Sequence, residues 1–358
     1  MNIDIDALIE SAPDNFVIRD ALCRCYEIVN EHNNICCSVS GGGDSDVMVD
    51  MLIRCGAKDK TDFVFYNTGL EYQATLSHLD ELERKYNIII KRMKAVKAIP
   101  TCVKEYGVPF WSKYVSEMLY RLQYNNFQFE DEPYEVLIKR YPTCQTALRW
   151  WCNVPTCSMY RIDRSPYLKE FIMENPPTFK ISNKCCHYAK KKISSAMEKL
   201  NGYDLMCVGV RRAEGGIRAS HKSCFDERSQ TNHFRPVFWL SDKDKAEYCK
   251  HYGVTHSRCY SEYGLPRTGC VGCPFAKDYV SELELVEQYE PKLIKAAKAI
   301  FADSYEYTQR YMEYREKKKL QVKNAMASRP LDKGVPLGAH HHDNSAYPVA
   351  LLLHHVGS

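Results

Sequence analysis

Ile35-Cys36-Cys37-Ser38-Val39-Ser40 runs directly into Gly41-Gly42-Gly43-Asp44-Ser45, and the fold follows from how this stretch is read. A short apolar run that ends in three glycines reads as a buried strand feeding a tight turn. Val47, Met48, Met51 and Leu52 then recur at helical spacing as far as Gly56, which suits a C-terminal stop. Strand, glycine turn and helix open a βα unit.

Working outward, residues 16–32 have helical spacing, and Phe63-Val64-Phe65-Tyr66 is a second apolar run. A helical pattern over 72–86 and a third apolar run, Ile88-Ile89-Ile90, come next. Strands alternating with helices predict an α/β protein with a doubly wound, mostly parallel sheet, followed by a helical C-terminal part. Tyr203 to Val210 looks like another core strand, leading into Arg211-Arg212. Ser241-Asp242-Lys243-Asp244 has capping-box form and starts a helix at Asp242. The aromatic stretch 111–175 has helical character, and 282–319, charged and rich in tyrosine, reads as one or two surface helices. The expected layout is an N-terminal helical segment (1–28), a nucleotide-binding α/β domain (29–240) with a helical insertion at 105–180, a C-terminal part (241–328) and a tail (329–358). The tail, with His340-His341-His342, lacks periodicity.

The 358 residues are 45% hydrophobic and 26% charged, enough to bury one large core or two modest ones. Lys and Arg total 49 against 45 Asp and Glu, a net charge of +4. That balance does not mark a nucleic-acid binder, but it allows a local basic pocket for phosphates. No signal peptide and no run of about 20 apolar residues is present, so a cytoplasmic protein without a membrane partner is expected. Seventeen cysteines are unusual as disulfides in a reducing compartment, so metal or thiol chemistry comes into question. Cys23, Cys25, Cys55, Cys207 and Cys249 lie among apolar neighbours and read as small hydrophobes.

The glycines of 40–45 let backbone N–H groups and the following helix N-terminus face an anion, and Ser40 and Ser45 add hydroxyls. The hexapeptide resembles the SGGxDS pyrophosphate-binding loop of the PP-loop ATP pyrophosphatases, the superfamily that includes the phosphoadenosine phosphosulfate reductases. The resemblance implies that Ser40, Gly41, Gly42, Gly43, Asp44 and Ser45 cradle an adenine nucleotide's phosphates, with Asp44, Ser45 and Arg211 catalytic and Mg2+ an open addition. Many relatives carry Lys where this chain has Gly43, so the phosphate charge met there must be met elsewhere. Tyr66-Asn67-Thr68-Gly69-Leu70-Glu71-Tyr72 is similar to the segment that borders the nucleotide in the reductase branch, which adds Asn67, Thr68, Gly69 and Glu71. Gly209 to Glu214, with Ile217-Arg218-Ala219, resembles its later basic segment, which adds Arg211, Arg212 and Arg218. Arginines at a strand's carboxyl end point where open α/β sheets bind ligands.

Cys185-Cys186 and Cys270-Val271-Gly272-Cys273 are two close-set pairs that can supply the four thiolates of a [4Fe–4S] cluster. The arrangement resembles the cluster signature of assimilatory adenylylsulfate reductases. A zinc site built from the same four thiolates is the rival, disfavoured by the adjacent cysteines. Lys184, His187, Lys190 and Arg267 flank the pairs.

Two chemistries fit. A sulfonucleotide reductase would attack the sulfur of adenylyl sulfate or phosphoadenylyl sulfate with a mobile cysteine, which that branch places in a C-terminal Glu-Cys-Gly-x-His segment; no cysteine follows Cys273. An ATP pyrophosphatase or sulfurtransferase would activate an acceptor with ATP, and its loop requirement is met. The loop favours ATP, with a non-catalytic nucleotide or redox sensor as a third class. A reductase would need another thiol, for which Cys102, Cys224 and Cys259 are the candidates. The acceptor, nucleic acid included, the sulfur or electron donor and any homo-oligomer are left open.

Overall fold

The computed structural model describes residues 3–155, 161–276 and 278–327. The tail 329–358 therefore lies outside the described residues.

The chain opens with α1 (Ile5–Glu10) and α2 (Phe16–Asn30), the latter capped by the Asn15 side chain. β1 (Ile35–Val39) follows, then α3 (Gly43–Arg54), β2 (Thr61–Asn67), α4 (Gln73–Tyr86) and β3 (Ile90–Lys94). Next are α5 (Ile99–Tyr106), α6 (Lys113–Tyr124), α7 (Tyr134–Arg140), α8 (Gln145–Trp151) and α9 (Leu168–Glu174). α10 (Lys184–Cys186) passes through a π-helical turn (His187–Lys191) into α11 (Lys192–Leu200). β4 (Leu205–Val208), β5 (Phe225–Asp226) and β6 (Asn232–Phe234) complete the sheet. α12 (Asp242–Tyr252), α13 (Arg258–Ser261), α14 (Tyr279–Glu287), α15 (Pro291–Ile300) and α16 (Ala302–Ala327) end the described chain.

The six strands are ordered β3-β2-β1-β4-β6-β5, with every pairing parallel except β5 with β6. The expected doubly wound, mostly parallel sheet is thus present. Ile35, Cys36 and Cys37 on the central β1 are all fully buried, because helices cover both faces of a parallel sheet. From β1 the chain winds outward through β2 and β3, then crosses to β4 on the other side of β1. The carboxyl ends of β1 and β4 therefore flank the point where the winding reverses, which is where open α/β sheets leave a crevice for ligands.

Two expectations are corrected. The run Ile88-Ile89-Ile90 is not the third strand: Asn87 ends α4 in a left-handed conformation, Ile89 is 80% exposed and β3 begins only at Ile90. β3 lies at the sheet edge, so it needs no continuous apolar run. The stretch 282–319 is not one or two surface helices but parts of α14 and α16 with all of α15. Tyr307 and Tyr311 of α16 are buried in the aromatic core of the helical insertion, with Phe110, Trp150, Trp151 and Phe171. Their hydroxyls donate to the backbone carbonyls of Asn175 (2.6 Å) and Pro166 (2.9 Å), which lets a tyrosine sit in a core.

Residues up to Arg315 make one compact unit; a second begins at Glu316, of which the end of α16 is described.

Candidate functional site

β1 delivers Ser40 to a turn that Gly41 makes with φ +66°, and a Cβ at Gly41 would lie 2.7 Å from Thr75 Cγ2 of α4. Only glycine fits there without displacing α4. The Ser40 N–H donates to Ser45 Oγ (3.2 Å), and Ser45 Oγ donates to the Gly42 carbonyl (2.9 Å), which locks the loop onto the first turn of α3. Gly209, just past β4, packs so closely on that turn that a Cβ would lie 3.0 Å from Ser45 N.

Ser40, Gly42, Gly43, Asp44 and Ser45 line a cavity of about 460 Å³ together with Arg211, Arg218, Lys245, Tyr260, Arg267 and Thr268. Arg211 is 5% exposed; its Nε donates to Asp44 Oδ1 (2.8 Å) and its Nη2 to Asp242 Oδ1 (2.8 Å). Lys245, one turn into α12, donates to the same Asp44 oxygen (2.8 Å). Asp44 is therefore engaged by two cations. Desolvation by the cavity walls lowers the pKa of the Arg218 guanidinium, Asp44 opposes that, and Arg267 and Arg211 lower it further. The same lining holds the carboxylates of Asp44, Glu214 and Asp242, and Glu214 pairs with Arg218, so cations and carboxylates meet around the glycine loop.

Not every predicted nucleotide residue is here. Gly41 shapes the loop from behind, and Arg212 is exposed and lies over the Trp239 ring at 5.5 Å. Asn67 accepts from the Gly69 N–H (2.8 Å) in its own turn. Thr68 and Glu71 are buried and turned toward the cysteines: Thr68 Oγ1 donates to Glu71 Oε1 (2.7 Å) and lies 3.5 Å from Cys270 Sγ. A bridge between Glu71 and Cys270 ties the post-β2 turn to the C-x-x-C loop. The segment borders the thiols rather than the phosphate cavity.

Cys185, Cys186, Cys270 and Cys273, separated in sequence, line one small cavity with Thr68, Pro109, Ala189, Lys190 and Phe301. None is in a disulfide. Burial pushes the Cys270 thiol up to about 12 and raises Cys273 as well. Cys185 and Cys186 share a hydrogen bond, which raises the pKa of the first and lowers that of the second, helped by Lys113, Lys190 and Lys191. Burial works against the Lys190 ammonium, yet Cys270, Glu71, Cys186 and Cys273 raise its pKa. Among the described residues no group of three or more His, Cys, Asp or Glu side chains is gathered as a single metal ion requires. A zinc ion draws its sulfurs to about 2.3 Å of one point. A cubane cluster holds its thiolates at separate corners. A second cavity, of about 420 Å³, is lined by Cys186, Cys270 and Cys273 with Lys113, Lys190 and Lys191, and it shares Arg218, Arg267 and Thr268 with the phosphate cavity.

The sequence points to neither Lys245 nor Tyr260. The capping box at Ser241 locates Lys245 on a helix, but its partner Asp44 is 201 positions away. Tyr260 Oη accepts from the Gly43 N–H (2.9 Å) and so occupies that donor of the loop. In the sequence Arg267 is no more than a flank of the cysteines.

Residues 34–128 match the phosphoadenosine phosphosulfate reductase domain family, in line with the resemblance of the glycine loop. An uncharacterized protein of Methanocaldococcus jannaschii is 30% identical over 142 residues, 38% of this chain and 27% of that protein; the matched part is thus about a quarter of that relative's length. Among solved structures, phosphoadenylyl-sulfate reductase from Candida auris is 11% identical, with 74% of this chain and 93% of that one covered at a TM-score of 0.40. U34-tRNA thiolase from Methanococcus maripaludis, solved with its [4Fe-4S] cluster, is 10% identical, covering 88% and 83% at a TM-score of 0.33. Among the described residues no helix is long and apolar enough to cross a membrane.

Proposed function

We propose that this chain, whose residues 34–128 match the phosphoadenosine phosphosulfate reductase domain, is an ATP-using PP-loop enzyme with a thiol-bound [4Fe–4S] cluster. The observation that carries the reading is the sharing of Arg218, Arg267 and Thr268 between the phosphate cavity and the thiol-lined cavity. An acceptor held between them would reach both a nucleotide and the cysteines.

The loop 40–45 and the N-terminus of α3 would hold the phosphates by backbone N–H groups, those of Ser40 and Gly43 exchanging their Ser45 and Tyr260 partners for phosphate oxygens. Arg211 and Lys245 orient Asp44, and together with Arg218 and Arg267 they offset the charge that develops on pyrophosphate as it leaves. Lys245 thereby supplies a cation that Gly43 does not. An acceptor oxygen attacking the α-phosphorus forms the new P–O bond, breaks the α–β bond and leaves an adenylated acceptor. Cys185, Cys186, Cys270 and Cys273 would hold the cluster, which supplies redox and sulfur-binding chemistry when bound.

Reduction of a sulfonucleotide is the weaker reading. Cys102, Cys224 and Cys259 are buried, none lines the cavity at the glycine loop or the one that shares Arg218 and Arg267 with it, and burial raises the pKa of Cys102 and Cys259. Such thiols make poor nucleophiles. Anaerobically purified protein incubated with ATP, adenylyl sulfate and phosphoadenylyl sulfate separates the two readings. Pyrophosphate or AMP from ATP, without sulfite from the sulfonucleotides, is expected; sulfite formation overturns the proposal.

A further inference from the structure

Beside the glycine loop, three side chains from two parts of the chain form a line. Cys249, on α12, has its Sγ 3.5 Å from His256 Nε2. His256 Nδ1 lies 2.8 Å from Asp46 Oδ2. Asp46, on the first turn of α3, is fully buried, and its other oxygen is 3.2 Å from His78 Nε2 of α4, a close but poorly aligned contact. His78 in turn meets Glu81 at 3.3 Å, and the Tyr260 ring of α13 stands 5.7 Å from the His256 ring.

Lys245 and Cys249 are four residues apart on α12 and so share a face. Lys245 reaches Asp44, and Cys249 reaches Asp46 through His256. Gly43 makes room for this: a Cβ there would lie 3.3 Å from His256 Cε1. Cys249 packs against the apolar core, as its neighbours in the sequence imply, and carries in addition an imidazole on its sulfur.

We infer that Cys249, His256 and Asp46 form a second, nucleophilic thiol centre that takes electrophilic divalent sulfur, the sulfur of a persulfide or of a disulfide. Asp46 holds the imidazole by one nitrogen, leaving the other to stabilise the thiolate, the arrangement by which a base and its orienting group activate a nucleophile. The raised pKa of His256 agrees with an imidazolium at neutral pH. In the step, the Cys249 thiolate attacks one sulfur of the S–S bond; a new S–S bond forms, the old one breaks, and its electron pair leaves on the departing thiolate. A persulfide attacked at its terminal sulfur leaves Cys249 bearing one added sulfur, and a disulfide leaves a mixed disulfide. No net electron is gained or lost. Cys249 and His256 are both partly exposed, so a small donor can approach. The inference goes beyond ATP use and does not depend on it.

The test treats the whole protein with cysteine persulfide in one arm and cystine in the other at pH 7, and follows each cysteine by peptide mass spectrometry. Cys23 serves as the reference, being half-buried with its thiol pKa raised by burial and by Glu27 and Asp20. Cys249 is expected to react at least about tenfold faster than Cys23, as an imidazole-paired thiol does beside an unpaired one. His256→Asn should slow Cys249 by about tenfold while Cys23 keeps its rate. The reagent that modifies Cys249 identifies the source, as one added sulfur or one cysteinyl group. A Cys249 rate no greater than that of Cys23 with both reagents overturns the inference on the wild-type protein alone, whether or not the variant folds. An unchanged Cys249 rate in a folded His256→Asn protein overturns it as well.

Discussion

At the scale of single residues, Ser45 and His256 make the sharpest tests. Ser45 is 2% exposed and joins Ser40 to Gly42, so its hydroxyl shapes the loop even before a ligand arrives. Ser45→Ala should weaken ATP binding by about 1.5–3 kcal/mol if a charged phosphate takes up that hydroxyl. Isothermal titration would show it, and unchanged affinity in a folded variant removes the loop from phosphate binding. His256 has a different signature. Hydrogen bonds to Asp46 and Cys249, opposed by burial, raise its pKa from 6.5 to about 9. The folded state therefore holds this proton more tightly than the unfolded chain. The resulting stability is fully present below about pH 6.5 and is lost as pH rises through about 9. Melting temperature should fall over that window, and His256→Asn should flatten the fall. A slope identical to the wild type would show that the proton is not linked to folding.

At the scale of elements, the site depends on α12 lying along α3. Lys245 meets Asp44, Tyr248 donates to Asp50 Oδ2 (2.8 Å), and the Arg54 guanidinium lies 3.9 Å over the Tyr252 ring. Each turn of one helix is thus pinned to a turn of the other. The capping box at Ser241 sets where α12 begins, and so which of its residues meet the cavity. The other fixed approach is between β4 and the loop. Gly209→Ala would place a methyl 3.0 Å from Ser45 N and 3.1 Å from the Asp44 carbonyl carbon, backbone atoms that cannot turn aside. The first turn of α3 must then shift, and ATP affinity should drop by about tenfold or more, as a lost charged hydrogen bond would cost. A Gly209→Ala protein with wild-type affinity would mean that the turn tolerates displacement.

For the whole molecule, the consequence lies in how the thiols assemble. The turn after β2, the start of α10 and the loop before α14 come from distant parts of the chain, yet Thr68, Cys185, Cys186, Cys270 and Cys273 line one cavity. Anaerobic preparations should therefore contain about four irons and four labile sulfides per chain. Replacing any one of the four cysteines by Ser should bleach the cluster absorbance. Stoichiometric zinc instead of iron would refute the assignment. Cluster loss should also change affinity for anions, because Arg218, Arg267 and Thr268 face both cavities.

Local pattern was enough for much of this protein. Alternating apolar runs and helical spacing carried β1, α3, β2 and α4, because burial on both faces of a central strand demands continuous apolar residues. Glycines at 41–43 marked the loop, and at Gly41 the turn and the approach to α4 require glycine. Edge strand β3 and the buried face of α16 escaped, because their neighbours rather than their own composition decide what they bury. Tertiary structure alone decided that Thr68 and Glu71 lie against Cys270 and that Lys245 stands beside Asp44. It also decided that Cys249 meets an imidazole. The contacts of Thr68 with Cys270 and of Lys245 with Asp44 join segments far apart along the chain, and no period of 2 or 3.6 residues encodes which side chain will close a pair.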